Sequence, residues 1–176
     1  MRIWISAALL VASAVAANAQ TPYAGIKSRP IKALSEQQVA DLSAGRGMGL
    51  ALVAELNGYP GPLHVLELAD KLDLTKDQRA NMQRQFDSMK AEAVPLGVKL
   101  IEQEADLERQ FAARTVTPES LKASTAAVAA TQGTLRETHL KYHLSTVAVL
   151  SPGQMQRYAE LRGYGGHIAP AGHHHR

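Results

Sequence analysis

The fold is decided by Leu74–Ser120, which reads LTKDQRANMQRQFDSMKAEAVPLGVKLIEQEADLERQFAARTVTPES. It opens with Thr75 and, three positions later, Gln78, which is the pattern of a capping box at the start of a helix. Apolar residues then recur in steps of three, four or seven, at Met82, Phe86, Met89, Ala93, Leu96, Leu100, Leu107 and Phe111. Because this spacing lines one face of a helix, we predict a helix from Thr75 to about Ala113.

A second long helix is predicted a few residues later, at Pro118–Val149. Thr117 is a helix-capping residue, and Pro118 suits the first helical position. Apolar residues then recur at strict seven-residue spacing, at Leu121, Val128, Leu135, Tyr142 and Val149. Two long helices joined by so short a connection must pack as an antiparallel hairpin. Pro95 lies inside the first helix, where it predicts a kink rather than a break.

The pentapeptide Leu, Ser or Thr, two variable residues, Gln occurs three times. It reads LSEQQ at Leu34–Gln38, LTKDQ at Leu74–Gln78 and LSPGQ at Leu150–Gln154. Each copy predicts a helix start at its Ser or Thr. We therefore expect a helix at Ser35–Asn57, a short one at Leu63–Leu72 and a last one after the hairpin. With no strand pattern anywhere, the predicted fold is all-α, a long antiparallel hairpin with shorter flanking helices.

The two ends of the chain differ from this helical domain, which we place at residues 34–163. Residues 1–19 have a basic residue, an apolar run and an Ala-x-Ala site, which is typical of a cleaved secretory signal peptide. Residues 20–33 contain two prolines and no period, which indicates an extended arm. Residues 164–176 are rich in Gly and His and are predicted to be a disordered tail. We expect an exported, periplasmic protein without a membrane-spanning segment after signal cleavage.

Composition excludes several functions. The chain has no cysteine, which excludes disulfides, thiolate metal ligands and cysteine catalysis. Lys and Arg total 19 against 16 Asp and Glu, and aromatic residues make up 5%, so nucleic acid is not an expected partner. There is no nucleophile elbow, no His-Glu-x-x-His and no triad pattern. We therefore predict that the protein is not an enzyme.

The candidate site lies in HLKYH, His139–His143, near the end of the second long helix. Two histidines four residues apart stack on one helix face, which is a common spacing for zinc ligands. The other interpretation is a pair of partly buried imidazoles that only pack, since His139 falls within the apolar stripe. Both interpretations stay open at this point.

The hairpin geometry suggests carboxylate partners for these imidazoles. If the turn centres near residue 115, Glu92 lies opposite His139, and Asp87 lies opposite His143. A His and carboxylate set across two helices suits a divalent metal such as zinc, nickel or cobalt. Alternatively, both acids are solvated charges that flank the apolar stripe.

Two further groups of residues remain ambiguous. His64 and Glu67 form an i, i+3 pair on the short helix, and they either close the metal site or anchor that helix. The methionines are either soft metal ligands or packing residues, and we favour packing; those considered are Met48, Met82, Met89 and Met155.

The repeated pentapeptide on an exported, cysteine-free, all-helical chain resembles the LTxxQ superfamily, across about Leu34–Gly163. That group contains periplasmic chaperones of the Spy and CpxP type, ZraP-like zinc-responsive proteins and CnrX-like heavy-metal sensors. The resemblance implies a hooked helical hairpin, usually dimerised, and it carries His139 over as a metal ligand. His143 stands where such sensors have a methionine, and only one histidine, His64, precedes the first full motif.

Two functions follow as hypotheses. The first is a periplasmic heavy-metal-responsive protein that binds a divalent metal through His139, His143, His64, Glu67 and Glu92. The second is a Spy- or CpxP-like chaperone or envelope-stress adaptor, which holds unfolded client proteins or a membrane sensor protein on a concave helical face. Because the helices leave apolar surface uncovered, we also expect a homodimer.

Overall fold

The computed structural model describes residue 23 and residues 25–164, which contain six helices and no strand. The helices are α1 (Glu36–Ser43), α2 (Leu52–Glu55), α3 (Pro62–Glu67), α4 (Lys76–Ala112), α5 (Pro118–Val147) and α6 (Pro152–Leu161). The long helices α4 and α5 pack against each other, and α1 and α3 pack on α4. The predicted all-α hairpin with shorter flanking helices is thereby confirmed.

Capping residues set the ends of the hairpin helices. Thr75 and Thr117 are the N-caps of α4 and α5, and each exchanges side-chain and backbone hydrogen bonds with the residue three positions later. The connection between the helices turns at Arg114, whose φ of 57° lies in the left-handed region. α4 runs through Pro95 as one helix without a break.

The second and third pentapeptides meet at the base of the hairpin, where α4 begins and α5 ends. The side-chain amide of Gln78 donates to the backbone oxygen of Val149 at 2.9 Å, and that of Gln154 donates to the backbone oxygen of Leu72 at 3.2 Å. The two amides also exchange hydrogen bonds with each other, at 2.9 and 3.0 Å. Each glutamine thus caps its own helix and also holds the other motif.

A hydrophobic cluster lies beside this pair of glutamines. It contains the first leucine of both motifs, Leu74 and Leu150, with Val65 of α3, Met82 of α4 and Tyr158 of α6. Val65 and Met82 are fully buried. This cluster closes the base of the hairpin and joins α3, α4 and α6 into one core.

The helix predicted at Ser35–Asn57 is wrong in its extent. α1 ends at Ser43, and a loop of residues 45–49, which we call the glycine loop, separates it from the single turn of α2. Gly45 and Gly49 have φ values of 66° and 81°, and Met48 between them has a φ of 43°. Left-handed backbone at three positions of five ends a helix, because L-residues in a helix need negative φ. The short helix predicted at Leu63–Leu72 is present as α3, and turns follow it.

α1 reaches α4 at a point where only glycine fits. A Cβ atom added to Gly97 would lie 2.1 Å from the backbone oxygen of Leu42. Leu42 itself is buried with Ala93, Leu100 and Leu135 in a second hydrophobic cluster. The small residue therefore lets the α1 backbone lie directly on the hairpin and places the glycine loop beside α5.

The described part of the N-terminal arm folds into turns rather than extending. Its backbone makes short-range hydrogen bonds such as Arg29 N–H to Ile26 oxygen, and Lys32 pairs with Glu108 of α4. The predicted signal peptide and the His-rich tail from residue 165 lie outside the described residues. Within the described part of the chain, no helix is long and apolar enough to cross a membrane.

Replacing Gln78 by Glu separates its two roles. The carboxylate still accepts from the N-cap amide, but it cannot donate to Val149 or Gln154. Because half-buried acceptors then lose their donor, we expect the free energy of unfolding in urea to fall by about 2 kcal/mol. The matched control is Gln38→Glu, where the glutamine makes only its local capping contacts and the change stays within about 0.5 kcal/mol. Equal effects at both positions would contradict a tertiary role for Gln78.

Two Gly→Ala changes in long helices should act in opposite directions. Gly97→Ala places a methyl group on the Leu42 carbonyl, so it should destabilise the fold by about 1–3 kcal/mol. At Gly133 of α5 an added Cβ meets nothing within 4 Å, so Gly133→Ala should stabilise the protein by about 0.5–1 kcal/mol through helix propensity. Thermal and urea unfolding of both variants measure the difference, and a stable Gly97→Ala protein would contradict the described packing.

Candidate functional site

The buried face of α5 is polar. Its buried residues include only one large apolar side chain, Leu135, and the others are Thr131, Thr138, His139, His143 and Thr146. The threonine hydroxyls can bond to the helix itself, as Thr146 does to the backbone oxygen of Tyr142 at 2.8 Å. The two imidazoles have no such local partner and must be satisfied by other elements.

His143 is oriented by the segment between α2 and α3. Its Nδ1 lies 2.6 Å from the backbone oxygen of Tyr59. Because a carbonyl oxygen only accepts, Nδ1 must carry the hydrogen, and the neutral ring then has its lone pair on Nε2. Gly61 packs against the ring edge so closely that a Cβ there would lie 2.9 Å from Nε2.

His139 is 3% exposed, and its Nε2 atom is buried without a hydrogen-bond partner. Gly47 of the glycine loop covers the ring, with an added Cβ 3.4 Å from Nδ1. Burial, and next the neighbouring imidazole of His143, lower the pKa of His139 below its ordinary value. The ring is therefore neutral at physiological pH. A buried nitrogen without a partner is uncommon in folded proteins and needs an explanation.

Both imidazoles line one cavity of about 480 Å³, which we call the histidine cavity. It lies between the glycine loop, the start of α3 and the hairpin. Its wall also includes the thioether residues Met48 and Met89, together with Phe86 and His64. The cavity thus brings nitrogen and sulfur donors from three elements to one place.

A buried carboxylate, Glu55, closes the cavity toward α6. Glu55 is 5% exposed and accepts hydrogen bonds from the Tyr158 hydroxyl and from the Gly61 amide. The Arg162 guanidinium lies 3.5 Å from it, and His143 Nδ1 lies 3.8 Å away. Burial and the hydrogen bond to Glu55 raise the pKa of Tyr158, so this hydroxyl stays protonated as the donor. This network ties α2 to α6.

Sequence reasoning missed Glu55. Its neighbours LVAELN give it no metal-ligand spacing and no partner within reach along the chain. Its partners come from α6 and from the segment after α2. Only the tertiary structure brings them together.

Glu92 is not brought to His139. Its carboxylate is bound by the Lys141 ammonium and by the Tyr142 hydroxyl, the latter at 2.8 Å. These two hydrogen bonds lower the pKa of Glu92. Asp87, expected near His143, is exposed and accepts from Gln83 one turn earlier on α4. The pairing of α4 with α5 expected from the sequence is therefore nearly correct. Glu92, however, contacts the outer side of α5 rather than its buried face.

His64 and Glu67 do form the expected pair, with His64 Nδ1 2.9 Å from the carboxylate. His64 lines the histidine cavity, whereas Glu67 does not and is about half exposed. Of the five predicted site residues, the structure thus brings three histidines to one cavity and leaves both carboxylates outside it. Among residues 23 and 25–164, no group of three or more His, Asp or Glu side chains is arranged to hold a metal ion.

Comparison with family models, with curated proteins and with solved structures finds no match to this chain.

The lowered pKa of His139 predicts a loss of stability in acid. The unfolded chain binds a proton at this ring near about pH 6.5, while the folded protein binds it only at lower pH. Stability should therefore decrease as the pH falls through about 6.5, until the folded pKa is passed. His139→Leu removes this proton uptake, so its free energy of unfolding should change less between about pH 7.5 and about pH 5 than that of the wild type. If urea titrations show the same change of unfolding free energy with pH in both proteins, this reasoning is contradicted.

Proposed function

We propose that this chain is an exported heavy-metal-responsive protein of the LTxxQ type, and that it binds a transition-metal ion in the histidine cavity. The observation that carries the proposal is the buried Nε2 of His139, which has no hydrogen-bond partner and belongs to a ring lining the same cavity as His143. An unpaired buried nitrogen costs a folded protein about 1–3 kcal/mol. Binding a metal ion supplies the missing partner.

The protonation of the two rings suits them for ligation. A metal ligand must be a neutral imidazole with a free lone pair, and burial keeps His139 neutral. His143 donates Nδ1–H to the Tyr59 carbonyl, which is the arrangement that orients a metal-ligating histidine and fixes its tautomer. Imidazole nitrogens bind zinc, nickel, cobalt and copper ions. The carboxylates expected in the first coordination shell are replaced in this proposal by other residues of the cavity or by water.

The position of the cavity gives binding a structural consequence. His139 and His143 belong to the hairpin, whereas Gly47 and Tyr59, which touch them, belong to the segment before it. An ion held between these parts makes the position of residues 45–64 depend on metal. This is the response that a sensor of envelope metal would transmit to a membrane partner.

A chaperone or stress-adaptor function is the second proposal, and exposed apolar residues favour it. Six large apolar side chains between residues 48 and 63 are 39–60% exposed, namely Met48, Leu52, Val53, Leu56, Tyr59 and Leu63. A surface of this kind suits an unfolded client or a partner protein. Between residues 101 and 130, the turn half of the hairpin, no residue is buried. We propose that a second copy covers part of this half in a homodimer.

Metal binding is tested by isothermal titration with zinc, nickel and cobalt. The protein is the chain from Gln20 to Arg176 with all four tail histidines changed to alanine, at positions 167, 173, 174 and 175. We expect one site per chain. His139→Ala should weaken binding at least about tenfold, because it removes the unpartnered donor. His143→Ala should weaken it as well.

Glu92→Gln is the matched control for these histidine variants. It removes a charge close to α5 but outside the cavity, so metal affinity should stay within about twofold. Suppression of client aggregation in the absence of metal is measured on the same four proteins. If none of the ions binds in a manner that depends on His139, while aggregation is suppressed by all four, the chaperone proposal replaces the metal-responsive one.

A further inference from the structure

We propose that the histidine cavity is built for a soft monovalent ion, Cu(I), bound by the thioether sulfurs of Met48 and Met89 together with the imidazoles of His139 and His143. This inference rests on the proposed function, since it names the class of metal for the same site. It departs from the sequence interpretation, which assigned the methionines to packing.

Met89 supplies the buried sulfur donor. It lies on α4, is 7% exposed and lines the cavity that His139 and His143 also line. Met82, seven residues earlier on the same face, is fully buried in the hydrophobic cluster at the hairpin base and is not part of the cavity wall. One methionine of this stripe therefore packs in the core, while the next one presents its side chain to the cavity.

Met48 lies at the mouth of the cavity in an unusual conformation. Its φ of 43° is in the left-handed region, which is uncommon for residues other than Gly, Asn and Asp. It stands between Gly47, which covers His139, and Gly49, with a φ of 81°. Met48 also stays 42% exposed although it is apolar. Strained backbone of this kind concentrates at functional sites, and a ligand role accounts for a methionine at this position.

Most other polar groups of the cavity are already engaged or are cationic. Glu55 is bound by Tyr158, Gly61 and Arg162. Arg46 and Lys90 also line the cavity and carry positive charge. His64 is paired with Glu67 through Nδ1, which leaves its Nε2 as a further imidazole donor. The donors left for a metal are therefore imidazoles and two thioethers, and none of these ligands brings a negative charge.

Neutral donors favour a low charge on the ion. The cost of burying a charge rises steeply with its magnitude when no opposite charge compensates it. A divalent ion in this cavity would keep both of its charges, whereas Cu(I) keeps one. Thioether ligands also select soft ions such as Cu(I), whereas imidazoles suit zinc and nickel as well as copper. Charge and ligand type thus point to the same ion.

The test is an anaerobic competition for Cu(I) between a coloured Cu(I) chelator and the chain from Gln20 to Arg176 without tail histidines. We expect one Cu(I) per chain, bound more tightly than zinc, nickel or cobalt. Met89→Leu and Met48→Leu should each weaken Cu(I) at least about tenfold, since each removes one ligand. X-ray absorption should show copper bound to both sulfur and nitrogen, with the sulfur signal lost in the double variant.

Met82→Leu is the matched control, because it is the same change seven residues earlier on the same face of α4 and outside the cavity. It should leave Cu(I) affinity within about twofold. Unchanged Cu(I) affinity in Met89→Leu and Met48→Leu, or tighter binding of a divalent ion, overturns this inference even if His139-dependent metal binding persists. If no ion, Cu(I) included, binds in a manner sensitive to His139→Ala, the proposed function and this inference fail together.

Discussion

The paired amides of Gln78 and Gln154 hold the base of the hairpin, and the rest of the fold depends on this contact. Each side chain caps its own helix, donates to a backbone oxygen next to the other motif and bonds to its counterpart. A glutamine amide has two hydrogens and one oxygen with two lone pairs, so these contacts use its full capacity. The capping box, usually a local device, here also fixes how α4, α5 and α6 meet.

This arrangement determines where the histidine cavity can form. With the base closed by Leu74 and Leu150 and α1 pressed onto Gly97, the segment of residues 45–64 must cross the hairpin beside the polar face of α5. Gly47 and Gly61 lie against His139 and His143, and a Cβ at Gly61 would clash with His143, whereas one at Gly47 would make ordinary contact with His139. Glycine at position 61 allows the backbone itself to cover the His143 ring. The covering backbone buries both rings and orients them.

Burying a polar face of α5 lowers the stability of the fold. Replacing the buried threonines and histidines by apolar residues of similar size would remove the desolvation cost of the polar groups. The burial cost of Glu55 is offset by its hydrogen bonds to Tyr158 and Gly61, and His143 Nδ1 is satisfied through Tyr59. His139 has no such compensation at Nε2. A fold that retains an unsatisfied group at its centre is consistent with a site that is completed by a ligand.

Sequence alone determined the helices and the hairpin, because their signals are local. Capping boxes, the apolar stripe of α4 and the short connection all act within a few residues along the chain. It also singled out His139 and His143 as one pair on one helix face. It did not show that α1 stops at Ser43, since the left-handed glycine loop depends on packing against α4 and α5. The partners of the histidines were likewise decided only by the tertiary structure. Glu92 was expected opposite His139 but is bound by Lys141 and Tyr142, two and three positions further along α5. Glu55, Gly47, Gly61 and Met48 reached the cavity through contacts between residues far apart in the chain, which no spacing along one helix encodes.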